Sequence, residues 1–294
     1  MKPKSILLSL SLFALFTVSL PAEERHMPSF TIDVEGHGKP VILVPGLGCS
    51  AEVWNETVAH LNAGNFQTHA LTLAGFGGTA PIHTDHYVQT VRDDLAAYIK
   101  QNHLDHPIII GHSLGGFLAL SLAASYPNLP GKIISVDGLP YLAALINPAI
   151  TPEGAQNMSA GIRKSIETGS EQQYQAMQRE TIASMITSPA NIDRELKVDL
   201  KSDRNTVAEA MSEMMTTDLR NDISKITEPA LVLGSWIAYK DYGATHDSSL
   251  ALYSKQFEKL PGTKIVMNDT SKHFIQLDAP EWFYAQVDGF IGNP

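Results

Sequence analysis

The sequence contains a single cysteine, Cys49, among its 294 residues, so no disulfide can form within the chain. Charged residues make up only 18% of the sequence and hydrophobic residues 44%, a balance that excludes an intrinsically disordered protein. The 21 glycines and 17 prolines are ordinary numbers, and they exclude a fibrous chain. We therefore expect a globular protein that depends on a sizeable hydrophobic core.

Positive charge is also scarce. The chain has 21 Lys and Arg residues against 31 Asp and Glu residues, a net charge of -10, and no cluster of basic side chains. Nucleic acids and anionic membrane surfaces attract proteins through basic patches, so neither is expected as a partner. A small neutral or cationic molecule is the expected substrate, and the oligomeric state is left open.

The N-terminal segment has the layout of a secretory signal peptide. Lys2 and Lys4 precede an apolar run, Ile6–Leu20, and the small residue Ala22 follows it. This run is shorter than the about 20 residues that a membrane-spanning helix needs, which argues against a stable anchor. We expect residues 1–22 to be removed from an exported protein, periplasmic or secreted, whose net charge then becomes -12.

Short β-branched runs alternate with helical patterns from Phe30 onward, which predicts an α/β fold with a mostly parallel central sheet flanked by helices. The predicted strands are Phe30–Val34, Val41–Val44, Thr68–Leu73, Ile108–Ile110, Lys132–Val136, Ala230–Leu233 and Lys264–Met267. The predicted helices are Glu52–Ala63, His86–Gln101, Leu114–Ser125, Asp247–Leu260 and Pro280–Phe290.

The alternation stops between Asp137 and Pro229, where helical segments occur without a convincing strand. We expect one α/β domain over residues 23–294 with a helical cap inserted at about 139–222. Methionine is flexible and polarisable, so a group of methionines either fills a core or lines a pocket for an apolar ligand. Six of the nine methionines lie in this stretch: Met158, Met177, Met185, Met211, Met214 and Met215.

The segment Gly111–Gly116 contains a G-x-S-x-G pattern directly after a predicted strand and directly before an apolar helix. In this context the serine, Ser113, occupies a strained turn that exposes its hydroxyl at the carboxyl edge of the sheet. The start of the next helix offers backbone N–H groups to a developing oxyanion. The pattern therefore predicts that Ser113 is a nucleophile.

These residues resemble the α/β-hydrolase superfamily, specifically its cap-bearing branch of serine hydrolases and esterases, from about residue 30 to the end of the chain. Three further segments carry the resemblance: the oxyanion loop in Val41–Gly48 followed by Trp54, the glycine-rich turn Leu73–Thr79, and the histidine loop Ser271–Phe274 with the helix after it. Pro45 and Lys272 depart from the family pattern, which commonly has His and Gly at these positions.

A serine nucleophile needs a general base, and that base needs a carboxylate to orient it. His273 is the expected base because it follows the last predicted strand into a loop at the carboxyl edge. Family resemblance favours Asp241 as the acid, in the loop after the strand Ala230–Leu233. Asp137 and Asp247 remain open as alternatives.

The resemblance also implies that the backbone N–H groups of Leu47 and Leu114 form the oxyanion hole. No cofactor is expected, because Gly75–Gly78 lacks dinucleotide-binding spacing. No metal is expected either: the pairs His83/His86 and His103/His106 match no recognised ligand motif and are better explained as solvated histidines.

The function that follows is a serine hydrolase that cleaves small to medium apolar carboxylic esters or lactones through an acyl-enzyme on Ser113. Other reactions use the same machinery, namely hydrolysis of C–C bonds, cofactor-free perhydrolysis and aminopeptidase action. A non-catalytic binding protein with a hydrolase-like scaffold is the alternative from a different class.

Overall fold

The computed structural model of the protein describes residues 29–292. The predicted signal peptide, residues 1–22, lies outside these residues. Within 29–292, no helix combines the length and the apolar character that crossing a membrane requires.

The core of the fold is a seven-stranded sheet in the described residues, with spatial order β1-β3-β2-β4-β5-β6-β7. Only β1 runs antiparallel to its neighbour, and the other pairs are parallel. Each predicted strand is present, so the predicted α/β class is confirmed. The strands are β1 Phe30–Gly36, β2 Lys39–Val44, β3 Phe66–Leu73, β4 Ile108–His112, β5 Lys132–Val136, β6 Ala230–Ser235 and β7 Lys264–Asn268.

Helices cover both faces of this sheet, which explains why its central strands are apolar at successive positions. All five residues of β4 are buried, and helix α3 after it is apolar on every side because it is enclosed as well. The helices outside the predicted cap are α1 Asn55–Ala63, α2 Tyr87–Gln101, α3 Leu114–Ser125, α9 His246–Gln256, α10 Ile275–Asp278 and α11 Pro280–Ile291. The predicted helix at Glu52–Ala63 begins instead with a 3-10 turn, Ala51–Trp54.

The chain between β5 and β6 is helical. Its elements are α4 Ala143–Ile146, α5 Pro152–Thr168, α6 Glu171–Met185, α7 Pro189–Asp199, α8 Arg204–Thr216 and a 3-10 turn, Asp222–Lys225. Local signals start these helices: Thr151 accepts a hydrogen bond from the Gly154 amide ahead of Pro152, and Ser170 forms a reciprocal capping box with Gln173. These helices are called the cap below.

The cap is joined to the sheet by hydrogen bonds as well as by apolar contacts. The carboxylate of Glu213 in α8 accepts from the Val88 amide of α2 at 3.0 Å. The Asp203 amide donates to the Gly75 carbonyl at 2.7 Å, in the turn after β3. The cap therefore covers the carboxyl ends of the strands, where Ser113 follows β4.

Candidate active site

Ser113 stands in a strained turn between β4 and α3. Its backbone has φ 54° and ψ -113°, a conformation that L-residues rarely adopt. A Cβ on Gly111 would collide with the Gly115 carbonyl, and a Cβ on Gly115 would collide with that of Val44. The glycines on either side of the serine are therefore required by close backbone approach, as the G-x-S-x-G pattern predicts.

His273 lies in the loop after β7, and its ring is oriented by Asp137. The His273 Nδ1 donates to Oδ2 of Asp137 at 2.6 Å, and both side chains are largely buried. Asp137 follows β5 directly, with φ 51°. A carboxylate in this position holds the imidazole in the tautomer whose Nε2 is free to accept a proton.

The Asp137 carboxylate is saturated with donors. Oδ1 accepts from the Ser235 amide at 2.8 Å and from the Tyr253 hydroxyl at 2.6 Å, while Oδ2 also accepts from the Ser235 hydroxyl at 3.1 Å. Burial, reinforced by the charge of Asp137, raises the pKa of Tyr253 well above its ordinary value, so this phenol stays a donor. Donors of this kind stabilise the ionised carboxylate in a buried place.

The preference for Asp241 as the partner of the histidine is wrong. Asp241 is exposed in a 3-10 turn, Ile237–Tyr242, that turns the chain away after β6, whereas Asp137 makes the contact with His273. Asp247 is also exposed and pairs with His246 at the start of α9, where Thr245 is the N-cap. The signal for Asp137 was its position at the end of the strand next to the serine's strand, since parallel neighbours end at the same edge.

His112 contacts the loop that contains His273. Its Nε2 lies 3.2 Å from the backbone oxygen of His273, and the two rings are 4.6 Å apart between centroids. Complete burial, with His273 nearby, lowers the pKa of His112 well below its ordinary value. A neutral His112 therefore donates from Nε2 to the His273 carbonyl and fixes the loop against the serine turn.

The two amides expected to form the oxyanion hole both border the serine. Leu47 and Leu114 follow Gly46 and Ser113, which line the same cavity. Among residues 29–292, neither amide N–H donates to a protein acceptor. Their role in an oxyanion hole stays a prediction.

A cavity of about 290 Å³ lies between the sheet edge and the cap, and Ser113, Asp137 and His273 line it. Most of its wall is apolar. Four of the six cap methionines line it: Met185, Met211, Met214 and Met215. Two others, Met158 and Met177, instead pack against the hydrophobic clusters. The methionine-rich cap thus serves both as pocket wall and as core.

One part of the cavity wall is polar, and sequence reasoning missed it. Glu195 and Asp199 of α7 line the cavity together with Gln178 and Cys49. Burial raises the pKa of Asp199 to about 6, and burial also raises the pKa of Glu195. Burial and these two carboxylates raise the pKa of the Cys49 thiol, which therefore stays protonated. The only sequence signal was the four-residue spacing within a helix, which places both carboxylates on one face.

Lys272, a departure from the family pattern, has a structural role. Its ammonium donates to the carbonyls of Ala183 at 2.8 Å and Ile186 at 3.3 Å, at the C-terminal end of α6. A cation at a helix C-terminus satisfies carbonyls that lack partners within the helix. The amide of Phe274 also donates to the Met185 carbonyl. The histidine loop and the cap are thus joined at this point.

The remaining sequence candidates are two pairs of histidines and a glycine-rich segment. Over residues 29–292, no group of His, Cys, Asp and Glu side chains is arranged to hold a metal ion. His106, in one of the histidine pairs, lies 3.9 Å from the exposed Asp105. The segment Gly75–Gly78 is a turn closed by a hydrogen bond from the Gly75 amide to the Ala80 carbonyl.

Comparisons with known proteins agree with this architecture. A family model described as "Alpha/beta hydrolase family" matches residues 41–286. A pimeloyl-[acyl-carrier protein] methyl ester esterase of Vibrio vulnificus is 22% identical over 265 residues, which cover 88% of this chain and 96% of that protein. An enol-lactonase from Burkholderia xenovorans superposes with a TM-score of 0.71 at 17% identity, covering 89% and 96% of the two chains. An esterase from Exiguobacterium antarcticum gives a TM-score of 0.74 at 15% identity, covering 89% and 95%.

Proposed function

Because the chain belongs to the α/β-hydrolase family and is a hydrolase enzyme, we propose that it cleaves carboxylic esters through an acyl-enzyme on Ser113. The observation that carries this proposal is the 2.6 Å hydrogen bond between Asp137 and His273 beside the cavity that Ser113 lines. The similar proteins that are named as esterases or as a lactonase support this class of reaction. At 22% identity, the Vibrio vulnificus esterase does not extend the acyl-carrier-protein substrate to this chain.

In the proposed reaction, the Ser113 hydroxyl attacks the ester carbonyl while Nε2 of His273 takes its proton. Asp137 stabilises the imidazolium that forms. The amides of Leu47 and Leu114 donate to the oxyanion of the tetrahedral intermediate, which then collapses and expels the alcohol with the proton from His273. Water, deprotonated by the same imidazole, hydrolyses the acyl-enzyme to the carboxylic acid and free Ser113.

The cavity supports a small to medium apolar acyl ester or a lactone as substrate. Its wall beyond Ser113 includes Leu142, Leu145 and Ile162 besides the cap methionines, and burial of apolar acyl carbons there is favourable. Methionine side chains adapt to ligands of different shape. Chain lengths that fill about 290 Å³ are therefore expected to be hydrolysed best.

Ester hydrolysis is tested with a series of p-nitrophenyl esters from acetate to dodecanoate and with a fluorophosphonate probe that labels activated serines. We expect turnover of the shorter members and stoichiometric labelling of Ser113. Ser113→Ala should lose both, whereas Ser125→Ala, an exposed serine at the end of α3, should lose neither. Absence of turnover together with absence of labelling in the folded protein contradicts the proposal and favours a non-catalytic binding protein.

We also propose that residues 1–22 direct export and are removed after Ala22. The proposal rests on Lys2 and Lys4 ahead of the apolar run Ile6–Leu20. N-terminal sequencing of protein recovered from the periplasm or medium should begin at Glu23. Leu15→Arg, which interrupts the apolar run, should leave the full-length chain in the cytoplasm. Export of an uncleaved chain contradicts this assignment.

A further inference from the structure

The polar wall of the active-site cavity carries two buried carboxylates that the proposed reaction does not use. Glu195 and Asp199 are 3% and 6% exposed, and both border the cavity that contains Ser113 and His273. They lie four residues apart on α7, so they share one face of that helix. A ligand in the cavity therefore meets both carboxylates.

Only one of the two carboxylate oxygens of Asp199 accepts a hydrogen bond from the described residues. Its Oδ2 accepts from Gln178 Nε2 at 2.6 Å, which holds the carboxylate in one orientation. Its Oδ1 receives no hydrogen bond from any residue between 29 and 292, although the side chain is more than nine-tenths buried. Because Asp199 lines the cavity, a ligand there can supply the donor that this oxygen lacks within the protein.

The charge on this wall is not neutralised within the cavity. None of the described side chains that line the cavity is Lys or Arg. Glu195 Oε1 accepts from Arg194 at 3.1 Å, but Asp199 has no cationic partner in residues 29–292. The pKa of Asp199, which burial raises to about 6, still leaves this carboxylate mostly ionised at neutral pH. The wall therefore offers uncompensated negative charge to whatever the cavity holds.

Asp199 also contacts a loop of the proposed active site. A Cβ on Gly48 would collide with Asp199 Oδ1, so the carboxylate packs directly against the backbone of the loop that contains Leu47. Gly48 follows Leu47 directly, so this contact is one position along the chain from the residue whose amide is expected to bind the oxyanion. A group bound by Asp199 therefore lies beside the loop that carries an expected oxyanion donor, in a cavity that Ser113 also lines.

We propose that the preferred ester carries a protonated amine a few carbons from its carbonyl, and that Asp199 and Glu195 bind this amine while Ser113 attacks the ester. An ammonium group supplies the donor that Asp199 Oδ1 lacks and the positive charge that the cavity lacks. This inference rests on the proposed ester hydrolysis and names its substrate class. Asp199 and Glu195 act here as specificity-determining residues.

Isosteric ester pairs test the inference. Methyl 3-aminopropanoate is compared with methyl butanoate, and methyl 4-aminobutanoate with methyl pentanoate, so that an ammonium replaces a methyl group of the same size. A third pair, butyrylcholine and 3,3-dimethylbutyl butyrate, carries the charge on the alcohol side. Hydrolysis is followed by pH-stat, and each rate is divided by the spontaneous rate of that ester. We expect kcat/KM to favour the charged member in at least one of the two amine pairs. Butyrylcholine has no N–H donor, so the third pair measures the effect of charge without the hydrogen bond.

Asp199→Asn keeps the size of the side chain and its contact with Gln178 but removes the charge. We expect it to lower the charged-to-neutral ratio of kcat/KM by about tenfold to a hundredfold. Glu195→Gln should lower the same ratio less, because Arg194 already pairs with that carboxylate. The control is Asp193→Asn, an exposed carboxylate on the same helix, which should leave the ratio unchanged.

The outcomes separate this inference from the proposed function. Hydrolysis of the neutral esters, with a ratio that neither Asp199→Asn nor Glu195→Gln changes, overturns the inference and leaves ester hydrolysis standing. Failure to hydrolyse any ester, without labelling of Ser113, overturns both. If Asp199→Asn does not fold, Glu195→Gln and the wild-type preference decide the question, and a wild-type preference for the neutral member in both amine pairs overturns the inference.

Discussion

Asp137 and His273 are 136 positions apart in the sequence, yet Oδ2 of the aspartate accepts a hydrogen bond from Nδ1 of the histidine at 2.6 Å. The contact follows from the sheet. Asp137 follows β5 and His273 follows β7, and parallel strands bring both to one edge, next to the turn of Ser113 after β4. The acid, base and nucleophile of the proposed reaction are thus contributed by three different strands.

Replacing this acid should nearly abolish activity. Asp137→Asn keeps the shape of the side chain but favours the wrong tautomer of His273, so kcat should fall by about 10³–10⁴-fold. Asp241→Asn, in the exposed 3-10 turn, should change kcat by less than about twofold. Ester hydrolysis and circular dichroism of both variants check the expectation. Large loss in Asp241→Asn with little loss in Asp137→Asn would reverse the assignment.

Tyr253→Phe should weaken the support of Asp137. The phenol donates to Oδ1 at 2.6 Å in a fully buried place, and its removal leaves a charged acceptor with one donor fewer. We expect a loss of about 1–3 kcal/mol in the free energy of unfolding and a fall in kcat smaller than that of Asp137→Asn. Denaturant unfolding and steady-state kinetics measure the two effects. Tyr242→Phe is the matched control, because Tyr242 is 88% exposed.

The serine turn should not tolerate a side chain at position 115. Gly115→Ala places a Cβ against the Val44 carbonyl, and we expect either an unfolded protein or a folded protein without activity. Gly161→Ala is the control in an exposed helix interior with nothing within 4 Å of the added Cβ. That variant should stabilise the protein by about 0.5–1 kcal/mol, since alanine is the better helix former. An active, stable Gly115→Ala protein would contradict the geometry of the turn.

Asp199 should make the protein less stable as pH rises. Its pKa is about 6 in the folded state against an ordinary 3.8, so the folded state binds the proton more tightly than the unfolded state does. The stability that the protonated form contributes is therefore fully present below about pH 4, and it is lost as the pH rises to about 6. The loss corresponds to about 3 kcal/mol at most.

Asp199→Asn should remove this loss, with a higher Tm than wild type at pH 8 and a similar Tm at pH 4. Thermal unfolding of wild type, Asp199→Asn and the exposed control Asp193→Asn, each across this pH range, provides the measurement. A control variant that reproduces the effect, or an Asp199→Asn protein destabilised at pH 8, would argue against an uncompensated buried charge. Stabilisation by removal of a polar group is expected where that group serves ligand binding.

Much of the molecule could be predicted from local patterns. β-branched runs identified the strands, and the glycines around Ser113 identified the turn, because both depend on residues adjacent in sequence. His273 was identified in the same way, by its place after the last strand. The acid was not, because several aspartates follow strands, and only the course of the chain after β6 shows that Asp241 points away into solvent.

The sequence by itself determined the α/β class, the order in which strands and motifs follow one another along the chain, and the residue that occupies the strained turn. Each follows from periodicity or from steric demands on neighbouring residues. The tertiary structure decided which carboxylate meets His273, which methionines face the cavity, and that Glu195 and Asp199 border it. These relationships depend on how α7 and the other cap helices pack over the sheet. Contacts between segments far apart in the chain decide that packing, and no local pattern encodes it.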